Sequence, residues 1–113
     1  MSAITTHVLD TARGRPAAGV PVTLEVEAAG GWILLGIGTT NADGRLSDLM
    51  PDETALEAGV YRLIFDTSTY FAGNNVPAFY PQVTVVFKIE NTDQHYHVPL
   101  LLSPFGYSTY RGS

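Results

Sequence analysis

Apolar and polar residues alternate one for one along run after run of this chain, and turn-forming residues separate the runs. From Val20 to Ala28, Val22, Leu24 and Val26 alternate with Thr23, Glu25 and Glu27. From Val60 to Asp66, Tyr61, Leu63 and Phe65 share one side. From Gln82 to Glu90, Val83, Val85, Phe87 and Ile89 oppose Thr84, Val86, Lys88 and Glu90. Side chains leave a strand on opposite faces in turn, so this period of two marks half-buried strands and rules out amphipathic helices. Shorter segments at Ile4–Leu9, Trp32–Thr39, Arg45–Leu49, His95–Leu102 and Tyr107–Arg111 bring the expected total to about eight. Between them lie the turn-rich stretch Arg13–Gly19, Gly30-Gly31, Asn41-Ala42-Asp43-Gly44, Asn91-Thr92-Asp93 and Ser103–Gly106. Thr67–Asn75 lacks alternation and ends in Gly73-Asn74-Asn75, which predicts one short helix. Pro51–Ala58 reads as polar loop with room for a helical turn. The expected fold is all-β, a two-sheet antiparallel sandwich of about eight strands with one short helix.

At 113 residues, 45% of them hydrophobic, the chain suits a single domain over residues 1–113 with one core. Formal net charge is −5 and no basic run occurs, which argues against binding nucleic acid through phosphates. An anionic ligand would have to meet a local cationic pocket in an acidic protein. With no cysteine there is neither a disulfide nor a thiolate metal site. The opening MSAITTHVLD carries no signal-peptide pattern, and the apolar runs fall short of the ~20 residues a membrane span needs. A cytoplasmic protein is the expectation.

His95 and His97 lie two apart in one strand, so both rings leave the same face, with Pro99 and Leu101 beyond them. Tyr96, Val98, Leu100 and Leu102 form the opposite, interior face, which puts the histidines outside. In the first strand His7 and Leu9 likewise oppose Ile4 and Val8. An outer face carrying histidines together with Leu9, Leu101, Tyr107 and Tyr110 is more apolar than a monomer ordinarily exposes, and is a candidate subunit interface. An HxH pair is also a metal-ligand pattern. Zinc takes three or four protein ligands, and here only His7 could join the pair, so no metal is expected. Arg45 follows an Asp-Gly turn, and the chain closes on Tyr110-Arg111-Gly112-Ser113 directly after an aromatic-rich run. Residue pattern alone leaves two readings of these groups: an ordered polar site, or a solvated hairpin arginine beside a frayed end.

The segments THVLDTARGRPAAGVPVTLE (Thr6–Glu25), TTNADGR (Thr39–Arg45), AFYPQVTVVF (Ala78–Phe87) and HYHVPLLLSPFGYSTYRGS (His95–Ser113) together resemble the 5-hydroxyisourate hydrolases, the transthyretin-related enzymes of urate breakdown. The resemblance covers essentially the whole chain. Its middle segments also resemble unrelated prealbumin-like and peptidase-associated sandwich modules. The closing segment is more specific, because the transthyretin carriers share LLSPxxYST but lack its second histidine and the YRGS end. The resemblance implies the transthyretin sandwich, assembled as a homotetramer (a dimer of dimers) around a channel lined by the His7 and His97 faces. It further implies His7, Arg45 and His97 as catalytic residues and Tyr110, Arg111, Gly112 and Ser113 as substrate-binding residues, with no cofactor and no metal. His97 with His7 would activate water, and Arg45 would hold the imide edge of the substrate and the developing oxyanion. Arg111 would support the C-terminal segment or a second substrate oxygen, and Ser113 would offer its hydroxyl or a terminal carboxylate. Two other classes stay open: a carrier holding a planar ligand in the same channel, and a structural sandwich domain.

Overall fold

A computed structural model describes residues 3–51 and 54–113. The chain runs β1 (Ile4–Asp10), β2 (Arg15–Pro16), β3 (Pro21–Ala28), β4 (Gly31–Thr39), β5 (Arg45–Leu46), β6 (Gly59–Phe65), α1 (Thr67–Gly73), β7 (Val83–Ile89), β8 (Tyr96–Ser103) and β9 (Gly106–Thr109). One sheet has the order β2-β1-β8-β9, with β5 also paired to β1; the other has the order β4-β3-β6-β7. The inward faces are those that alternation assigns. Val22, Leu24, Tyr61, Leu63, Phe65, Val83 and Ile89 of the second sheet meet Ile4, Val8, Val98, Leu100 and Leu102 of the first, all buried. Each such side chain contributes about 1.5–3 kcal/mol on burial, so the alternation that defines the strands also supplies the force that joins the sheets.

Four local features depart from the sequence expectation. The turn-rich stretch after β1 contains a two-residue strand, β2, paired at Leu9↔Pro16 and Asp10↔Arg15. β5 stops at Leu46, because Leu49 and Met50 drop into the core and do not extend a ladder. β9 ends at Thr109 and not Arg111, and the chain returns to the sheet at Gly112 through a single bridge to His97. His95 stands just before β8, outside its ladder. The expected loop Pro51–Ala58 includes residues 52 and 53, which lie outside the described residues.

Among the described residues the sandwich contains one parallel pairing. β1 and β8 run parallel, from Ile4↔Tyr96 to Asp10↔Leu102, while the other pairings are antiparallel. A parallel partner requires a long crossover, and here the chain visits the whole second sheet before it returns. The helix begins where expected, capped by Asp66, whose carboxylate accepts from Thr69 N at 3.1 Å and Thr69 Oγ1 at 2.7 Å. It ends at Gly73, with Asn75 in the left-handed region at φ 57°. Tyr70 ties the helix to the first sheet by donating its hydroxyl to Oδ2 of buried Asp10 at 2.7 Å. Among the described residues no helix is long and apolar enough to cross a membrane.

Candidate functional site

Register in the first sheet decides which residues share the outer face. Parallel pairing sets Thr5 beside His97 and His7 beside Pro99, while Thr6 and Val98 turn inward together. Antiparallel pairing of β5 sets Arg45 beside His7 and sends Leu46 into the core. Thr5, His7, Arg45 and His97, from three strands, therefore crowd one outer surface.

The turn before β5 fixes where Arg45 begins. Asn41 Oδ1 accepts from Asp43 N at 2.9 Å and Arg45 N at 3.0 Å, and Gly44 N donates to Asn41 O at 2.9 Å. Gly44 has φ +75°, and a Cβ there would lie 2.4 Å from the Val8 carbonyl oxygen. Only glycine meets both the conformation and the space. The Asp-Gly signal in the sequence is thus a device for bringing the arginine strand close to β1.

The C-terminal residues do not fray. Gly112 N donates to His97 O at 2.8 Å, which lays the tail against the histidine. The contact is tight enough that a Cβ on Gly112 would sit 2.6 Å from His97 Cδ2 and 3.1 Å from Pro99 Cγ. Arg111 turns away: its guanidinium carbon lies 4.5 Å above the Tyr96 ring and Nη2 donates to Gln94 Oε1 at 2.8 Å. Tyr110 and Arg111 line a second pocket of about 300 Å³ with Val85, Phe87 and Val98, and His97 borders it too. Of the tail, Ser113 reaches the histidine side.

There Thr5, Asn41, Arg45, His95, His97 and Ser113 line a hollow of about 420 Å³. The structure therefore brings Arg45, His97 and Ser113 together directly and sets Gly112 against the ring of His97. His7 lies next to this group on the same face, while Tyr110 and Arg111 lie outside the hollow, in the second pocket that His97 also borders. Burial holds the His97 imidazole below its ordinary pKa, with the nearby charges of Arg45, His7 and His95 acting in the same direction. It stays neutral to lower pH than a free histidine and keeps a lone pair able to take a proton near neutral pH.

Sequence reasoning passed over Thr5 and Asn41 as site residues, and placed His95 on the outer face only as half of a metal pattern and part of a candidate interface. Thr5 Oγ1 lies 2.8 Å from His97 Nδ1 and 3.1 Å from His95 Nε2. Its alternation with His7 in β1 was a signal that it shares the histidine face. Among the described residues no three His, Cys, Asp or Glu side chains gather as a metal centre would need. The hollow offers an imidazole base, a guanidinium and hydroxyls, a set suited to adding water to a polar, electron-poor carbonyl.

Comparison with known proteins agrees with this architecture. The model of the HIUase/Transthyretin family matches residues 4–112. The 5-hydroxyisourate hydrolase of Salmonella typhimurium is 48% identical over 110 residues, which span 97% of this chain and 80% of that protein. The structure of Klebsiella pneumoniae 5-hydroxyisourate hydrolase superposes with a TM-score of 0.85 at 37% identity, covering 100% of this chain and 94% of that one. Sea bream transthyretin in complex with thyroxine superposes with a TM-score of 0.90 at 34% identity, covering 97% and 94%. The chain belongs to the HIUase/Transthyretin family.

Proposed function

We propose that this chain hydrolyses 5-hydroxyisourate to 2-oxo-4-hydroxy-4-carboxy-5-ureidoimidazoline in urate degradation, at the hollow between Arg45, His97 and Ser113. The relatives named as 5-hydroxyisourate hydrolases support the activity. The observation that carries the site is His97 itself, a depressed-pKa imidazole clamped by Thr5 and Gly112 beside a guanidinium.

Water adds to C6 of the six-membered ring while His97, with His7 alongside, takes the proton it sheds. The C6–N1 bond then breaks, and the imidazolium returns the proton to N1. Arg45 holds the acidic imide edge and the oxyanion that forms at C6, a bidentate task suited to its planar fork. Ser113 adds a hydroxyl at the same hollow. Tyr110 and Arg111 serve the site from outside the hollow, in the pocket on the other side of His97, Arg111 by pinning the tail to Gln94 and Tyr96.

The assembly that fits is a homotetramer, a dimer of dimers whose central channel is lined by the His7 and His97 faces. Half-buried Leu9 and Leu101 on that face support it, whereas Tyr107, expected there, pairs opposite inward Leu102 and packs edge-on against Tyr80; a tetramer's mass in solution is the check. Sea bream transthyretin, in complex with thyroxine, keeps a carrier in contention on fold alone, since one sandwich can hold unrelated sites. A base, a guanidinium and a clamped tail around one hollow favour hydrolysis. The deciding experiment generates 5-hydroxyisourate from urate with urate oxidase and follows its ultraviolet absorbance. Decay faster than the spontaneous rate, in proportion to protein, is expected; decay identical to the protein-free control refutes the assignment.

A further inference from the structure

Thr5 is only 4% exposed although it lies on the outer face, because two imidazoles cover it. The rings of His95 and His97 stand 6.5 Å apart and 16° from parallel, with the threonine hydroxyl between their near edges. A hydroxyl has one hydrogen to give, and a neutral imidazole has one N–H and one lone pair. The hydroxyl can therefore donate to only one of the rings: it donates to one and accepts from the other, or it accepts from both.

Three arrangements satisfy that count. In the first, Thr5 donates to His97 Nδ1, so neutral His97 carries its hydrogen on Nε2 and has no lone pair left for water. In the second, His97 Nδ1–H donates to Thr5 and Thr5 donates to His95 Nε2, which leaves His97 Nε2 free. In the third, both rings donate to the hydroxyl, which leaves His97 Nε2 free as the second does. When Nε2 takes a proton, the first arrangement is lost and the other two stay unchanged, because an imidazolium donates from both nitrogens. Exposed His95 can keep its own hydrogen on Nδ1, toward solvent. The charged and titratable groups facing His97 are Arg45 from β5, His7 from β1 and His95 ahead of β8.

The geometry points to Thr5 as a positioning residue: its hydroxyl, seated between His95 and His97, holds His97 in the Nδ1–H form and makes Nε2 the atom that accepts the proton of the attacking water. The role rests on the hydrolysis proposed above, and His95 enters as the second ring against the same hydroxyl. Second-layer hydrogen bonds fix the tautomer of working histidines in the same way elsewhere.

The test uses Thr5→Val, which keeps the β-branched shape and removes the hydroxyl, and Thr5→Ser, which keeps the hydroxyl. Imidazole ¹⁵N NMR of the full wild-type chain, without substrate, is expected to show His97 protonated on Nδ1. Thr5→Val is expected to mix the tautomers and lower kcat about tenfold, the factor an ordinary hydrogen bond carries, with KM unchanged. Thr5→Ser is expected to keep the wild-type tautomer and rate. A wild-type hydrogen on Nε2, a Thr5→Val enzyme with undiminished kcat, or a Thr5→Ser enzyme as impaired as Thr5→Val overturns the assignment. If wild-type protein fails to hydrolyse 5-hydroxyisourate, the functional reading falls by itself, while the substrate-free tautomer still decides the role of Thr5.

Discussion

Replacing Gly112 by alanine adds a methyl group where the structure leaves no room for one. The new carbon would lie 2.6 Å from His97 Cδ2, 3.1 Å from Pro99 Cγ and 3.3 Å from Pro99 Cδ, against an ordinary contact of 3.4–4 Å. Either the imidazole or the tail must shift by roughly 1 Å, and a displacement of that size near reacting groups costs about 10²-fold in rate. The ring is held by Thr5 Oγ1 at 2.8 Å, and the tail by the Gly112 N–H to His97 O at 2.8 Å and by Arg111. If the ring moves, its lone pair leaves the water; if the tail lifts, Ser113 leaves the hollow. Stability changes little, because about one backbone hydrogen bond is lost, ~0.5–1.5 kcal/mol. Turnover of enzymatically generated 5-hydroxyisourate should therefore fall about 10²-fold, while thermal unfolding moves by a few degrees. Wild-type turnover by Gly112→Ala would show that the clamp on His97 has no part in the reaction.

Other perturbations separate the charge and packing components. The depressed pKa of His97 keeps the base neutral below the ordinary value, so the acid limb of kcat/KM should lie under about pH 6.5. Arg45→Gln removes a cation that disfavours the imidazolium, so that limb should move up toward pH 6.5 as activity drops; a limb that stays in place counts against the coupling. Tyr70→Phe takes a donor from buried Asp10 without touching the hollow, and should cost about 1.5–3 kcal/mol in urea unfolding while kcat stays at wild type.

What could be read in advance from the sequence was whatever a single segment encodes. Alternation in β8 put Tyr96, Val98, Leu100 and Leu102 inside and His97 outside, as the burial of those residues bears out. The Asp43-Gly44 turn announced the strand that starts at Arg45, and Gly73-Asn74-Asn75 marked the helix end. What escaped depends on residues far apart in the chain. No local pattern states that β1 runs parallel to β8 with Thr5 opposite His97, and that register alone makes Thr5 a neighbour of both histidines. The direction of Arg111 was equally hidden, because it is settled by Gln94 and the Tyr96 ring, which a spacing rule does not see. The tie between Tyr70 and Asp10 joins residues from different layers of the fold and carries no signature in either segment.

The central claim is that the imidazole of His97, beside Arg45 and under the C-terminal tail, moves the proton of the attacking water. His97→Asn keeps a polar side chain of similar reach and removes the base. A general acid–base group contributes about 10²–10⁴-fold, so kcat for 5-hydroxyisourate should fall by that factor with circular dichroism and unfolding temperature preserved. A folded His97→Asn protein that clears 5-hydroxyisourate as fast as the wild type would contradict the account.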